Sequence, residues 1–357
     1  MIVLGSSGSI GQNTLKIAKK FGLSIEVLSV NRSIDILNQQ IKEFNPKYVI
    51  VGSKSLVKKV NHKKVYYGSD GIIEVLNFAK SNLVVNALVG FFGLKPTLES
   101  IRVGKRVALA NKESLVVAGQ FVDTSMISPI DSEHFGLWYL LNDKKIQKMT
   151  ITASGGAFRD IDLKKLKSVT PAQALKHPNW SMGQKITIDS ATMTNKLFEL
   201  LEAKWLFKSV KKFDAIIETK SLIHAMINFR DGSTTAHIAN ANMQLPIAYA
   251  ILGKVDKKIL KPIDLTKIES MEFRRIEQNR YPIWEIKDEI LKNPKLGVII
   301  NAANEIGVAK FLKGDMKFLD ISKNTIKAYQ KFQNSKINSL EDIFEIDKIV
   351  REFVKKS

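Results

Sequence analysis

The side chains best suited to chemistry are concentrated in residues 177–199, which carry an imidazole, hydroxyls, an amide, an ammonium and carboxylates. A helix that begins near Asp189 or Ser190 directs its free backbone N–H groups at an anion. Asn195 and Lys196 add polar groups on or beside the same helix start. The stretch therefore predicts an anion-binding site formed by a loop and the first turns of a helix.

Carboxylates in and before this stretch offer ligands for a metal ion. If their segment is extended, Asp131 and Glu133 project to the same side and can bind one hard cation. A third ligand can come from Glu199 or from Glu202, and the spacing alone leaves both open. The chain contains no cysteine, which excludes thiolate sites, disulfides and a cysteine nucleophile. The remaining ligand types favour Mg²⁺ or Mn²⁺.

A glycine-rich turn near the N-terminus indicates a nucleotide. Residues Gly5–Gly11 read G-x-x-G-x-x-G between a predicted strand and a predicted helix, the context in which a helix N-terminus binds a pyrophosphate. The second strand ends in Asn31-Arg32-Ser33, where an NAD site carries an acidic residue. An arginine and a hydroxyl suit a 2′-phosphate instead, so the expected cofactor is NADPH.

Two further polar turns follow predicted strands. Ligands of open α/β sheets bind beyond the carboxyl ends of the strands. We therefore expect the turn Asn111-Lys112-Glu113-Ser114 to meet cofactor or substrate. The turn Ser154-Gly155-Gly156 offers a hydroxyl and backbone N–H groups, which suit a phosphate.

Strands and helices that alternate over residues 2–110 must position these turns. The predicted strands are Ile2–Leu4, Ile25–Val30, Tyr48–Val51, Val65–Tyr67, Leu83–Asn86 and Arg106–Ala110, and the predicted helices are Asn13–Phe21, Ile34–Phe44, Gly71–Ala79 and Pro96–Val103. This pattern predicts an α/β fold with an N-terminal Rossmann-like, doubly wound parallel sheet. Later runs at Ala215–Ile217 and Thr234–Ile238, with a hairpin signal at Asp231-Gly232, indicate a smaller sheet.

The pattern of predicted strands and helices also predicts the domain organisation. We expect an NADPH-binding domain at residues 1–130 and a central α+β catalytic and metal-binding domain at residues 131–255. A charged linker at residues 256–284 then precedes a C-terminal helical domain at residues 285–357.

Charge and hydropathy narrow the classes of partner. The net charge of +20 is compatible with an anionic substrate or a nucleic acid, but the lysines are scattered in short pairs without interleaved aromatic residues. We therefore expect a small phosphorylated substrate and no nucleic-acid partner. Apolar runs stay too short for a membrane span, and the chain opens directly on a strand, so no membrane partner and a cytoplasmic location are expected.

These motifs together resemble the 1-deoxy-D-xylulose 5-phosphate reductoisomerases, the NADPH- and metal-dependent enzymes of the non-mevalonate isoprenoid pathway. The matching segments are Gly5–Gly11, Leu109–Leu115, Asp131–His134, Ser154–Gly156, His177–Gly183, Asp189–Lys196 with Glu199, and Asn301–Glu305. They follow the family's order over nearly the whole chain. The resemblance implies that the enzyme rearranges a ketose phosphate to a branched aldehyde. NADPH then reduces this aldehyde to 2-C-methyl-D-erythritol 4-phosphate. A dehydrogenase of another phosphorylated sugar or aldehyde is the alternative.

The resemblance also implies roles for single residues and a homodimer formed through the central domain. NADPH contacts are expected from Ser7, Gly8, Ser9, Ile10, Asn31, Arg32, Ser33, Asn111, Glu113 and Gly183. Metal ligands are expected at Asp131, Glu133 and Glu199, which are also catalytic together with Lys112 and His177. Substrate contacts are expected from Lys112, Ser132, Glu133, Ser154, His177, Trp180, Ser190, Asn195, Lys196 and Glu199. Residues 177–183 are expected to form a mobile flap that closes over the substrate.

The chain departs from the family pattern at a few positions. Ser7 stands where threonine is usual, and Leu197 stands where glycine is usual. Glu218-Thr219-Lys220 replaces a His-Pro-Gln run that precedes Ser221. The sequence does not identify a general base: Lys112 and His177 are candidates, and reaction through a metal-bound alkoxide would need neither.

Overall fold

Short β-branched runs form a parallel sheet in the N-terminal part of the chain. In the computed structural model, which describes residues 1–356, its strands are β1 (Ile2–Leu4), β2 (Val27–Ser29), β3 (Tyr48–Val51), β4 (Val65–Tyr67), β5 (Leu83–Asn86), β6 (Arg106–Leu109) and β7 (Ile127–Pro129). They lie in the order β4-β3-β2-β1-β5-β6-β7, with parallel pairing throughout. The order reverses between β1 and β5, which places a ligand crevice beyond their carboxyl ends.

Helices follow most strands and make up the C-terminal part of the chain. They are α1 (Ser9–Phe21), α2 (Ile34–Phe44), α3 (Gly68–Phe78), α4 (Leu94–Arg102), α5 (Glu113–Ala118), α6 (Ser132–Tyr139), α7 (Pro171–Ala174), α8 (Gln184–Thr192), α9 (Thr194–Leu206), α10 (Gln244–Leu252), α11 (Lys287–Lys292), α12 (Gly297–Lys313), α13 (Phe318–Phe332) and α14 (Leu340–Lys356). In the described part of the chain, no helix has the combination of length and apolar character that a bilayer crossing needs.

The chain folds into two compact units. The first consists of residues 1–114, 122–131 and 242–261, and the second of residues 115–121, 132–241 and the chain from residue 262 onward. In the first unit, Val3 and Leu28 pack with helix residues on one face of the sheet, while Ile2 and Leu4 pack on the other. Burial of both faces explains why these strands are continuous apolar runs.

The second unit contains a mixed sheet. Its strands are β8 (Ile146–Ala153), β9 (Phe213–Glu218), β10 (Ile223–Phe229), β11 (Thr234–Ile238) and β12 (Phe273–Arg274), in the order β11-β10-β8-β9-β12. The turn predicted at Asp231-Gly232 is confirmed as a hairpin turn, but the strand before it is β10 and not the predicted run Ala215–Ile217, which lies in β9 and does not pair with β11. Strands β8 and β9 pair in parallel, and α9 is part of the crossover between them.

The C-terminal region of the second unit is helical, as predicted. Phe311 of α12 and Phe318 of α13 pack with Ile188 and Ala191 of α8 in one buried cluster. The Asn301–Glu305 motif lies inside α12. The predicted fold class, a Rossmann-like sheet followed by an α+β region and a helical region, is therefore confirmed. The division into three domains and a linker stays a prediction.

Candidate active site

The glycine-rich turn of the first unit connects β1 to α1. Gly5 has a φ of +83°, which favours glycine, and its N–H donates to Ser29 O at 3.1 Å. A Cβ at Gly11 would lie 2.5 Å from Ser6 Cα, so this glycine allows the helix to pack against the turn. A Cβ at Gly8 would meet Gly5 O at an ordinary 3.5 Å. Gly8 is exposed and precedes the first residue of α1, so its small size leaves room for a ligand there.

The other residues predicted to bind NADPH in this part of the first unit lie at the same edge of the sheet. Asn31, Arg32 and Ser33 are exposed and follow the carboxyl end of β2, which pairs with β1. Ser7, Ser9 and Ile10 lie in the turn and the first turn of α1. The structure therefore brings the glycine-rich turn and Arg32 to neighbouring strand ends.

The Asn111 amide joins two loops of the first unit. Its Nδ2 donates to Leu88 O at 2.9 Å and to Gly90 O at 2.8 Å, and it also contacts Glu113 Oε2 at 3.2 Å. Its Oδ1 accepts from the N–H of Ser114 at 3.1 Å. Asn111 is 1% exposed, so its side chain fixes the loop after β6 to the loop after β5. The predicted contact of Asn111 with NADPH stays a prediction.

Lys112 and Asp131 form an ion pair that the sequence did not reveal. The Lys112 Nζ lies 3.1 Å from Asp131 Oδ2, and both side chains are largely buried, at 9% and 14% exposure. Lys112 follows β6 and Asp131 follows β7, and these strands are neighbours in the sheet. The adjacency of β6 and β7 is the signal that would have identified the pair.

The extended conformation expected for residues 131–133 is wrong. Helix α6 begins at Ser132, so Glu133 lies in its first turn and the alternation of a strand does not apply. Ser132 is 8% exposed, and its hydroxyl donates to Glu133 Oε2 at 2.5 Å. An acidic residue in the first turn is favoured by the helix dipole.

The turn at the end of β8 (the phosphate corner), which was predicted to bind a phosphate, is a tight glycine turn packed against α8. Gly155 and Gly156 have φ values of +86° and +69°. A Cβ at Gly156 would lie 2.6 Å from Ala191 Cα, so glycine is required for this close approach. The N–H of Gly156 donates to Ser154 Oγ at 3.1 Å. The corner therefore holds the Ser154 hydroxyl next to the helix that carries Ser190.

His177 joins the two hydroxyls. Its Nε2 lies 2.8 Å from Ser154 Oγ and 3.1 Å from Ser190 Oγ. Its Nδ1 accepts from the backbone N–H groups of Asn179 at 3.2 Å and Trp180 at 2.9 Å, so the ring proton is on Nε2. Burial, reinforced by the positive charges of Arg159 and Lys196, lowers the pKa of His177 to about 4. The imidazole is therefore a neutral donor to the serine hydroxyls.

The helix start expected near Asp189 or Ser190 is wrong. Both residues lie within α8, and the chain turns at Met193, whose φ is +69°, before α9 begins at Thr194. Asn195 and Lys196 therefore occupy the first turn of α9, and Ser190 lies in the last turn of α8. One helix therefore supplies the hydroxyl and the next supplies the amide and the ammonium, and their joint binding of an anion stays a prediction.

Lys196 links two of the predicted metal ligands. Its Nζ donates to Glu133 Oε1 at 2.9 Å and also to Glu199 Oε2. Carboxylate oxygens of Glu133 and Glu199 lie within 4.8 Å of each other. Asn195 Nδ2 donates to Glu199 Oε1, which orients the amide. Both carboxylates thus converge on one positive charge.

Glu202, the alternative ligand, faces a histidine. Its Oε2 lies 3.9 Å from His134 Nδ1, and both residues are buried. The Nε2 of His134 lies 2.8 Å from Glu199 O, so this imidazole stands between the Glu199 backbone and the Glu202 carboxylate. Of the two glutamates, Glu199 is the one beside Lys196 and Asn195.

A buried hydrogen bond joins α8 to α12, and the sequence did not predict it. Asp189, at 1% exposure, accepts from Asn304 Nδ2 at 2.7 Å and pairs with Lys185 Nζ at 2.8 Å. It immediately precedes Ser190, so α12 helps to fix the position of that hydroxyl.

The flap segment lies beside the second sheet. Asn179 donates to Thr219 O at 3.0 Å, and the Trp180 ring centroid is 6.1 Å from that of His224. Gly183 is exposed at the N-terminus of α8. The structure therefore offers a hydroxyl, amide and ammonium set for an anion, a carboxylate pair for a cation, and a loop packed beside them.

Family models match most of the chain. The model of 1-deoxy-D-xylulose 5-phosphate reductoisomerase matches residues 1–119, and that of its C-terminal domain matches residues 127–207. A model described as the DXP reductoisomerase C-terminal domain matches residues 238–353.

Curated relatives are similar over their whole length. The chain is 54% identical over 361 residues to the 1-deoxy-D-xylulose 5-phosphate reductoisomerase of Nautilia profundicola, covering 99% of this chain and 98% of the relative. It is 48% identical over 360 residues to that of Helicobacter pylori, covering 99% and 98%.

Solved structures show the same architecture. A crystal structure of DOX-P reductoisomerase in complex with NADPH, fosmidomycin and magnesium matches with a TM-score of 0.91 at 32% identity, covering 99% of this chain and 97% of that one. The reductoisomerase of Zymomonas mobilis in complex with NADPH matches with a TM-score of 0.89 at 34% identity and the same coverage.

Proposed function

We propose which residues of this chain, a member of the 1-deoxy-D-xylulose 5-phosphate reductoisomerase family, bind the cofactor, the metal ion and the substrate. The protein is an NADPH- and metal-dependent enzyme that rearranges and reduces 1-deoxy-D-xylulose 5-phosphate to 2-C-methyl-D-erythritol 4-phosphate, in the isoprenoid pathway.

The glycine-rich turn and the end of β2 fit NADPH. Gly8 is open to a ligand at the start of α1, where backbone N–H groups and the helix dipole favour a pyrophosphate. The exposed guanidinium of Arg32 suits a 2′-phosphate, with Asn31 and Ser33 beside it. We assign the turn, residues 7–10, to the pyrophosphate and Arg32 to the 2′-phosphate. Bound NADPH supplies the hydride for the reduction.

The convergent carboxylates fit a hard divalent cation. Glu133 and Glu199 already hold a cationic group, the Lys196 ammonium, at hydrogen-bonding distance. We assign Glu133, Glu199 and Asp131, which precedes α6 directly, to Mg²⁺ or Mn²⁺. The cation supplies Lewis-acid polarisation of the substrate carbonyl.

Hydroxyls, an amide and an ammonium suit the substrate phosphate. Ser154 and Ser190 are oriented by the Nε2–H of His177, and Lys196 supplies positive charge. The buried Oδ1 of Asn195 has no hydrogen-bond partner among residues 1–356, and a substrate hydroxyl would satisfy it. Binding the phosphate away from the reacting carbons orients the substrate for the rearrangement.

The remaining assignments concern the reacting end of the substrate. Lys112 and Ser132 are assigned to it from the resemblance, and residues 177–183 form the flap that excludes water. Because Nδ1 of His177 accepts backbone N–H groups and Nε2 carries the proton, His177 is assigned to anchoring the phosphate site. Lys112 is then the candidate for moving a proton.

The observation that carries these assignments is the convergence of Glu133 and Glu199 on one charge next to the hydroxyls of the phosphate site. The test is NADPH oxidation with 1-deoxy-D-xylulose 5-phosphate in the presence of Mg²⁺ or Mn²⁺. Turnover is expected with either metal and is expected to stop with EDTA. Turnover that is indifferent to EDTA, or turnover of a different phosphosugar in its place, would contradict the proposal.

We also propose that the enzyme is a homodimer formed through the second unit's sheet and α6. Helix α6 and the following turn expose Trp138, Tyr139 and Leu141, and β11 is an edge strand with unpaired backbone groups. Exposed apolar groups beside an open edge favour association with a second copy. Sedimentation should give a dimer, and Trp138→Glu should shift it toward monomer. A wild-type monomer at micromolar concentration would contradict this.

A further inference from the structure

The turn between β9 and β10 is built around a buried carboxylate. Glu218 is 0% exposed, and its carboxylate accepts hydrogen bonds from backbone N–H groups of the turn. The donors are Lys220 at 2.8 Å, Leu222 at 2.7 Å and Ile223 at 3.2 Å. Ser221 has a φ of +54°, which is uncommon for a residue other than glycine. The carboxylate therefore stabilises a turn that its backbone alone disfavours.

This turn presents two acceptors to the flap. The Nδ2 of Asn179 donates to Thr219 O at 3.0 Å and to Ser221 Oγ at 2.7 Å. The Thr219 carbonyl also accepts from Arg159 Nη1 at 2.6 Å, and that guanidinium donates to Ser154 O at 2.8 Å. A single carbonyl thus connects the flap to the phosphate corner.

We propose that Glu218 is a positioning residue that shapes this turn into the docking site of the flap, with Asn179 as the anchor. The inference rests on the flap role proposed above for residues 177–183. A neutral imidazole has one acceptor nitrogen, whereas a carboxylate has about four lone-pair sites. A glutamate at position 218 can therefore order several N–H groups that a histidine cannot.

The position of Glu218 dictates how its loss would act. An amide in place of the carboxylate brings an N–H₂ group against backbone N–H donors and leaves some of them unsatisfied. The turn then shifts Thr219 O and Ser221 Oγ together, and Asn179 loses both acceptors. Substrate binding should suffer, because the flap that covers the phosphate site is less well ordered, while NADPH binding should not.

The test combines Glu218→Gln, Asn179→Ala and the double variant in the full-length enzyme. Glu26→Gln is the matched control, because Glu26 is a buried carboxylate of the first unit, 8% exposed, that accepts from the N–H groups of Lys80 and Ser81. The measurements are KM for 1-deoxy-D-xylulose 5-phosphate, kcat, Kd for NADPH, and hydrogen exchange of the Asn179 and Trp180 amides.

Each single variant is expected to raise KM about tenfold, with a smaller change in kcat and an unchanged Kd for NADPH. The backbone N–H groups of residues 179 and 180, which donate to His177 Nδ1, should exchange their hydrogens with solvent faster than in the wild type. The double variant should resemble the single variants, because both remove one interaction. Glu26→Gln should lower Tm without any of these effects.

The proposal would be overturned if the increases in KM of the two single variants multiplied in the double variant. It would also be overturned if Asn179→Ala kept the wild-type KM and the wild-type rates of hydrogen exchange. If Glu218→Gln does not fold, Asn179→Ala still tests the docking contact of the flap, because it leaves the turn intact. Failure of the proposed function would look different: the wild-type enzyme would not turn over the substrate, while the exchange measurement would still report on docking.

Discussion

Several polar residues of the site use their hydrogen-bonding groups within the chain itself. The Asn111 amide joins two loops, and Nδ1 of His177 accepts from two backbone N–H groups. Such residues hold geometry, because their lone pairs and protons are already engaged. Lys112 is engaged as well, since its ammonium lies 3.1 Å from Asp131 Oδ2, and its proposed part in proton transfer stays a prediction.

Arg32 is expected to select the cofactor. Arg32→Asp should lower the preference for NADPH over NADH by tenfold or more, since a hydrogen bond to a charged group contributes about 1.5–3 kcal/mol. The ratio of kcat/KM for the two cofactors measures this. Arg106→Asp is the control, because Arg106 is an exposed arginine at the amino end of β6. An unchanged ratio in Arg32→Asp would remove Arg32 from the 2′-phosphate site.

The low pKa of His177 predicts a pH dependence of stability. The native imidazole takes a proton only near pH 4, whereas an unfolded one does so near 6.5, mainly because burial disfavours the charged ring. The unfolded chain therefore binds more protons between these values, and the contribution of His177 to stability is lost as the pH falls from 6.5 to 4. The Tm advantage of wild type over His177→Gln should shrink across this window. A constant difference would contradict the assignment.

At the scale of elements, the break between α8 and α9 determines which helix carries each residue of the proposed phosphate site. Met193, at a φ of +69°, ends one helix and lets the next begin at Thr194, so Ser190 and Asn195 come from different helices. A methionine carries no sequence signal for positive φ, and the polar residues around it read as one helix. This is why residue types predicted the members of the site while the helix boundary was missed.

The packing of the Ser154–Gly156 turn against α8 can be tested by substitution of Gly156. Gly156→Ala places a Cβ 2.6 Å from Ala191 Cα at a φ of +69°, so the Ser154 corner must separate from α8. Gly232→Ala is the control, since its φ is +88° but its Cβ meets nothing within 4 Å. Both changes should cost about 1 kcal/mol or more in stability for the backbone. Only Gly156→Ala should also raise KM for the phosphorylated substrate by tenfold or more. Equal KM values in the two variants would contradict the role of the corner.

At the scale of the whole chain, the parallel sheet was the most predictable part. Its inner strands are mostly apolar and buried on both faces, and the limits of β1, β3, β4 and β5 were predicted correctly. The order β11-β10-β8-β9-β12 depends on pairings between distant segments, and β12 is too short to give a periodic signal. The ion pair of Lys112 with Asp131 and the Glu218 turn were missed for the same reason, because each needs the fold to bring its groups together.

We propose that Glu199, and not Glu202, binds the metal ion together with Glu133 and Asp131. The most direct test is Mn²⁺ binding measured by electron paramagnetic resonance in Glu199→Gln and Glu202→Gln, with NADPH affinity and turnover measured in parallel. Glu199→Gln should lose high-affinity Mn²⁺ and metal-dependent turnover while keeping its NADPH affinity. Glu202→Gln, whose partner is His134, should keep both Mn²⁺ and turnover. Retained Mn²⁺ affinity in Glu199→Gln, together with its loss in Glu202→Gln, would contradict the account.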